Sequence, residues 1–318
     1  MTASPGDVSE TSLSPEDSAW LTAVRGAESL AALAAIVGIE SEHEAYFRAK
    51  ERWQALQEER LGQWPRQSGL PGESVDVDGQ EFVVHGITHA DTDEERAFLH
   101  DHVRSFLADG DTVYCEQGIR PMYFAEFEGV CEIDDYSWAM YHCRNGAFNS
   151  HIEELPAEAF EGPSSHLRDI TSRFRAVTFS VIESGSDVYG DRFARAIGDV
   201  ASDFLMSHEE IATAEDFQSF KLSRRASKDP ERLADLQRYY RAAFLPQPLE
   251  REWLRRHDRE LELFTHARNE RIADYAVYHG SADTVRIVVG AAHQPGVVYY
   301  LEEHRDGNRD ATAFEFVE

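Results

Sequence analysis

Apolar and polar positions divide the chain into long segments with helical spacing and a few short apolar runs. Residues 14 to about 63 are rich in charge and helically spaced, and Ser14 followed by Pro15 is typical of a helix start. Prolines and glycines in residues 64–80 predict a loop. From about 165 to 279 the spacing is again mostly helical, so this part of the chain is predicted to be largely α-helical.

Three short apolar runs predict buried strands. They lie at residues 81–85, 112–115 and 284–289. Between the first two runs, Thr92 and Glu95 have the spacing of a capping box that begins a helix. This strand-helix-strand unit predicts parallel strands that are joined by a right-handed crossover.

These segments predict an α/β protein with three layers, α/β/α, around a mixed but mainly parallel sheet. Residues 1–13 are rich in Ser, Thr, Gly and acidic residues and are predicted to be a disordered tail. Residues 14–80 form an N-terminal helical region and linker, and residues 81–318 form the α/β domain. The helical segment 165–279 is an insertion in that domain, and residues 130–165 are predicted to be irregular.

The net charge of the chain argues against some classes of binding partner. The 318 residues carry 59 acidic and 31 basic side chains, which gives a net charge of −28. This charge repels nucleic acid and anionic lipid, so we expect a peptide or small-molecule partner instead. The basic residues are almost all Arg, since Lys occurs only at Lys50, Lys221 and Lys228. An acidic, Lys-poor chain is typical of a halophilic cytoplasm, and an ordinary acidic protein from a GC-rich genome is the alternative.

The scattered cysteines and the lack of a recognisable targeting signal predict a cytoplasmic protein. Cys115, Cys131 and Cys143 are scattered and contain no CxxC pair. No basic and apolar leader is present, and the apolar stretch at residues 29–39 is too short to span a bilayer. We therefore expect no stable membrane insertion, while the oligomeric state stays open.

No Walker loop, nucleophile elbow, dinucleotide fingerprint or His-Glu-x-x-His motif occurs, which argues against the usual NTPases, serine hydrolases, dehydrogenases and zincins.

Each predicted strand is followed by a polar residue. His89 follows the first strand, Glu116 the second and His293 the third, and Gly86 and Gly290 are expected to let the backbone turn as it leaves the sheet. Because sites in α/β sheets form at the carboxyl ends of strands, these three side chains are expected to converge. Two imidazoles and a carboxylate are predicted to hold a divalent transition metal, Mn²⁺, Co²⁺ or Zn²⁺.

Other roles for the histidines stay open. His89 and His293 could act as acid–base groups without a metal, or both could be structural. Glu116 could be a metal ligand or a general base. His85, within the first strand, is predicted to pack in the core or to support the site from behind.

A buried arginine is predicted on the helix before the last strand. The positions that flank Arg268 at helical spacing are apolar, which places it within an apolar stripe. Burying a guanidinium is costly unless it is paired, so Arg268 is expected to reach a carboxylate, with Glu116 as the candidate. Alternatively, Arg268 extends to the helix edge and is exposed. Asn269, the next residue, is expected to contact the site.

Four segments together resemble the TraB, GumN and Tiki group of the erythromycin-esterase-like and ChaN-like superfamily. They read FVVHGITHADT, TVYCEQG, ARNERIADYAVYHG and VRIVVGAAHQPGVVYYL, and they lie between residues 81 and 305. The resemblance implies an α/β/α fold and, for Tiki-like members, metal-dependent peptidase activity. The site positions that match the group's motifs are Gly86, His89, Glu116, Arg268, Asn269, Gly290, His293 and Gly296.

Two functions follow as hypotheses. In the first, the chain is a metal-dependent, peptidase-like hydrolase: His89, Glu116 and His293 hold the ion, and Arg268 and Asn269 support the chemistry. Arg268 would then position Glu116 or stabilise a developing oxyanion. In the second, the same pocket captures a peptide or small anionic ligand without turnover and serves regulation.

Overall fold

A computed structural model describes residues 13–61, 69–145 and 163–309, and all structural statements below concern these residues. It contains five strands: β1 Glu73–Val77, β2 Gln80–Ile87, β3 Thr112–Cys115, β4 Val130–Glu132 and β5 Thr284–Gly290. The helices before the third strand are α1 Pro15–Arg25, α2 Leu30–Val37, α3 Glu42–Leu61 and α4 Asp93–Asp109. The next helices are α5 Ile119–Tyr123, α6 Asp135–Asn145, α7 Pro163–Tyr189, α8 Asp191–Leu205, α9 His208–Ala212 and α10 Phe217–Lys228. The last are α11 Leu233–Ala243, α12 Gln247–His257, α13 Arg259–Glu262, α14 Arg268–His279 and α15 Gln294–Arg305.

The sheet has the order β1-β2-β5-β3-β4. β1 is antiparallel to β2, and the other neighbours are parallel. The three predicted strands are thus confirmed as β2, β5 and β3, and β5, from the end of the chain, lies between the other two. The mixed, mainly parallel sheet of the predicted α/β/α fold is present.

Two strands differ from the sequence-based predictions. β1 lies inside residues 64–80, which were predicted to be a loop, and β4 lies inside the segment predicted to be irregular. β1 pairs with β2 across a two-residue turn at Asp78 and Gly79, both with positive φ. β4 has only three residues, which is too short for its apolar pattern to be visible in sequence.

Helices cover both faces of the sheet and bury its apolar side chains. On one face, Val84 and Ile287 share a core cluster with Ile272 of α14 and Val297 of α15. On the other face, Val113 and Val288 cluster with residues of α4 and α5. This two-sided burial explains why the strands read as continuous apolar runs rather than as alternating ones.

The N-terminal helices pack against the helical insertion. Tyr46 of α3 stacks on Trp253 of α12, with the ring planes 16° apart and the centroids 5.1 Å apart. Leu30 of α2 belongs to the same apolar cluster. None of the described helices is both long and apolar enough to cross a membrane. The predicted tail at residues 1–13 lies outside the described part except for Leu13, which packs partly buried against this cluster.

Candidate functional site

The three polar residues predicted to converge lie together at the carboxyl ends of β2, β3 and β5. Nε2 of His89 is 3.5 Å from Oε2 of Glu116. Nε2 of His293 is 3.7 Å from Oε1 of the same carboxylate. The sheet order causes this convergence, because β5 lies between β2 and β3 and all three run in the same direction. The side chain of His89 is 34% exposed and that of Glu116 only 5%, so His89 is the more accessible group.

Glu116 is a buried carboxylate that both backbone and side chain hold in place. The backbone N–H of Gly290 donates to its Oε2 at 2.8 Å, and Nη2 of Arg268 donates to its Oε1 at 2.6 Å. Burial favours the neutral carboxyl, but His293, His89 and Arg268 outweigh it and hold the pKa of Glu116 well below its usual range. Glu116 is therefore an anion at neutral pH, at the end of the sheet.

Arg268 is buried and paired, as its apolar stripe predicted, and it does not extend to solvent. Besides Glu116 it contacts Asp135 at the start of α6, to whose Oδ2 its Nε donates at 2.7 Å. Burial lowers the pKa of the Arg268 guanidinium, but Asp135 and Glu116 more than restore it. One guanidinium therefore bridges two buried carboxylates, and Asp135 was not predicted.

A π-helical turn at Leu263–Ala267 directly precedes Arg268. Such turns add a residue to a helix and occur often at functional sites. Asn269 follows, and its Oδ1 lies 2.8 Å from Nδ1 of His293. Because an amide oxygen only accepts hydrogen bonds, Nδ1 of His293 is the donor and its Nε2 carries the lone pair that faces Glu116. Asn269 thus contacts the site, as predicted, and orients His293.

His293 is neutral over most of the accessible pH range. Burial lowers its pKa to about 4, and the opposing effect of Glu116 does not compensate. At neutral pH, two hydrogen-bond acceptors therefore face each other across 3.7 Å, Nε2 of His293 and Oε1 of Glu116. That distance exceeds a direct hydrogen bond. A group placed between them would have to donate hydrogens or accept electron pairs.

The loop that carries His89 has an unusual backbone. His89 has φ of 60° and Asp91 φ of 52°, in the left-handed region that non-glycine residues seldom adopt. Both carboxylate oxygens of buried Glu95 hold Thr88, whose N–H and hydroxyl donate at 2.8 and 2.7 Å to Oε1. Only half of the predicted capping box is present, because Thr92 caps α4 while Glu95 reaches the His89 loop instead. Sequence reasoning missed this role, since a Glu at that helix position reads as a cap.

The site glycines have a different role from the one predicted. Gly86 lies one residue before the end of β2 and Gly290 ends β5, but neither they nor Gly296 has a positive φ, so a sharp turn does not require glycine there. Space does. A Cβ at Gly86 would be 2.9 Å from Cα of Ala291, and one at Gly290 would be 3.0 Å from Nε2 of His89. At Gly296 it would lie 2.0 Å from Nδ2 of Asn269, so these glycines allow the site elements to approach closely.

His85 contacts the segment before β1 and helix α4. Its Nδ1 is 3.0 Å from the carbonyl oxygen of Pro71, and its ring stacks on Phe106 of α4. Of the two roles predicted for it, core packing matches these contacts. Burial lowers the pKa of His85 to about 4.

The titration of His85 predicts a loss of stability in acid. The unfolded chain binds the proton with a pKa near 6.5, so the contribution of His85 to stability is complete above that pH and falls as pH decreases towards 4. The loss at pH 4 should be about 3 kcal/mol. Denaturant unfolding of wild type and His85→Gln at pH 7 and pH 4 measures it. An equal loss in both proteins would contradict the assignment.

Imidazole nitrogens and carboxylate oxygens are suitable ligands for a divalent metal, but at this site they are not arranged to coordinate one. Both oxygens of Glu116 already accept hydrogen bonds, and the Arg268 cation adjoins the same carboxylate. Within residues 13–61, 69–145 and 163–309, no three His, Cys, Asp or Glu side chains are placed to hold an ion. The residues as arranged do not fit the predicted metal.

Comparisons of this chain with protein-family models, with curated proteins and with solved structures find no match. The chain is an α/β protein with a buried, arginine-bound glutamate between two histidines at the carboxyl end of the sheet.

Proposed function

We propose that the chain is a hydrolase that cleaves an amide or ester bond, with peptides as the expected substrates. The observation that carries the proposal is the approach of His89 and His293 to different oxygens of one ionised, buried carboxylate. Acid–base groups held beside a fixed negative charge are suited to remove a proton from water and to return it to a leaving group. The resemblance to a group with peptidase members favours the same reaction class.

His89 is the proposed proton acceptor, because its side chain is the most accessible of the three. It takes a proton from water, the hydroxide oxygen bonds to the substrate carbonyl carbon, and the C–N or C–O bond then breaks. The proton on His89 passes to the departing nitrogen or oxygen. The buried Glu116 carboxylate, 3.5 Å away, stabilises the positive charge that His89 carries between these steps.

His293 is the proposed site that orients the water. Its neutral Nε2 accepts a hydrogen bond, so it can hold one hydrogen of the water while the other hydrogen points to His89. Arg268 is already engaged by two carboxylates, which favours a positioning role over oxyanion stabilisation. Asn269 positions His293 in the same indirect way.

A panel of chromogenic esters and fluorogenic peptides, assayed in molar KCl, tests the proposal. Turnover should fall by about a hundredfold to ten-thousandfold in both His89→Ala and His293→Ala, the usual range for acid–base groups. The matched control is His102→Ala, because His102 lies on α4 and its Nδ1 is 2.8 Å from the backbone oxygen of Phe98. This control should retain wild-type turnover.

Three results would point elsewhere. Binding of a peptide without turnover, lost in the same variants, would support the ligand-capture alternative. Unchanged turnover in His89→Ala would remove His89 from the reaction. Elemental mass spectrometry of wild type and both variants tests the predicted metal: about one divalent ion per chain, absent from both variants, would show that an ion rearranges these residues into ligands.

A further inference from the structure

The hairpin formed by α7 and α8 exposes many large apolar side chains, here together called the α7–α8 stripe. Among the side chains of this hairpin that the structure describes, nine large apolar ones are exposed by 39 to 86%. They are Phe174, Val177, Val181, Val188, Tyr189, Phe193, Ile197, Val200 and Phe204. Together they expose on the order of 1,000 Å² of apolar area, more than the largest patch of a typical monomer. A surface of this size indicates an interface.

The spacing within the stripe is that of a helix-packing seam. On α8 the exposed apolar residues are separated by four, three and four positions, and on α7 Phe174, Val177 and Val181 are separated by three and four. This is the a/d spacing of helices that pack side by side in bundles. An adjacent side of α8 is already used, since Ala194 and Gly198 are buried and a Cβ at Gly198 would lie 2.1 Å from Phe217 of α10.

We infer that a second copy of this chain covers the stripe, so that two α7–α8 hairpins form an antiparallel four-helix bundle. A two-fold axis across the middle of α8 would place Phe193 of one copy opposite Phe204 of the other. It would also place Ile197 opposite Val200. Each copy would bury about the 800 Å² that a standard interface takes from one partner.

Charge on α8 supports this antiparallel arrangement. Arg192 and Arg195 lie in the first half of the helix, and Asp199 and Asp203 in the second half, all exposed. Asp191, also in the first half, pairs with Lys221 and Arg225 of α10. At 100° per residue Arg192 and Asp203 flank the stripe, so in an antiparallel pair Arg192 of one copy lies near Asp203 of the other, which favours this register. The same acidic residues and the net charge of −28 disfavour an anionic lipid surface as the partner.

Sedimentation equilibrium of the full chain in molar KCl, over a concentration series, tests the inference. Wild type should be a dimer. Ile197→Glu and Phe204→Glu should each raise the dissociation constant by at least about a hundredfold, because they bury an unpaired charge in an apolar seam. The matched control, Tyr278→Glu, changes an exposed aromatic on α14 and should leave the dimer intact. Circular dichroism checks that each variant is folded.

Charge reversal tests the orientation. Arg192→Asp with Arg195→Asp should weaken the dimer, and adding Asp199→Arg and Asp203→Arg should restore it, since the helix halves then keep opposite signs. A wild type that is monomeric at every concentration would overturn the inference. This holds even if residues 146–162 or an anionic lipid vesicle is then found to cover the stripe. A dimer equally stable in Phe204→Glu would overturn it too. None of these outcomes depends on the chemistry at Glu116, so this inference and the proposed hydrolysis fail independently.

Discussion

Arg268→Met should lower the free energy of unfolding by about 3–5 kcal/mol at neutral pH, the range found when one partner of a buried ion pair is removed. The loss is large because Glu116 and Asp135 would both remain in the interior without their shared cation. Turnover should fall as well, because Glu116 would lose the contact that fixes Oε1. Denaturant unfolding and the proposed ester and peptide assays measure the two effects.

A pH series separates this effect from a simple packing defect. Burial raises the pKa of Asp135 to about 6 even with Arg268 present, and without the cation both carboxyls should bind protons more readily when folded. A carboxyl with a raised folded pKa favours the folded state increasingly as pH falls through that pKa. Arg268→Met should therefore recover part of its lost stability between pH 7 and pH 5. Arg268→Lys keeps the charge but cannot supply the planar fork, so it should recover only part. A variant as stable as wild type at pH 7 would refute the bridging role.

Lys50→Met should destabilise the protein by a similar amount, about 3–5 kcal/mol. Nζ of Lys50 on α3 donates to Oε1 of Glu250 on α12 at 2.7 Å and to the carbonyl oxygen of Ala212 at 3.1 Å. Glu250 is fully buried, and the N–H of Leu245 also donates to it at 2.7 Å. Removing the ammonium leaves this carboxylate uncompensated between the N-terminal helices and the insertion. Chemical denaturation in molar KCl measures the loss.

Two controls make the Lys50 result specific. Arg48→Met removes an ion pair with Glu51 on the same helix, where the side chains are 63% and 77% exposed. It should change stability by less than about 1 kcal/mol. The double variant Lys50→Met with Glu250→Gln removes both charges and should regain most of the lost stability. If the single and double variants are equally unstable, lost packing rather than an unpaired charge explains the effect.

Much of the candidate site could be predicted because its residues follow recognisable strands. The runs before His89, Glu116 and His293 are apolar over several positions, so the strand ends were visible in sequence. The apolar neighbours of Arg268 also implied burial and a carboxylate partner, which is Glu116. The partners Asp135 and Glu95 were not predicted. Each lies at the first turn of a helix, where an acidic residue is ordinary, and only the folded chain shows that its side chain reaches the site.

The sequence by itself determined the local elements of this protein, because apolar periodicity, capping residues and glycines act over a few neighbouring positions. β2, β3, β5 and the start of α4 follow from such patterns. The tertiary structure decided the rest. It placed β5 between β2 and β3, used the site glycines for close approach, and paired β1 with β2. It also buried one side of α8 and left the other exposed. These arrangements depend on which apolar surfaces, distant in sequence, pack against each other and are buried from water. No local sequence pattern specifies that packing.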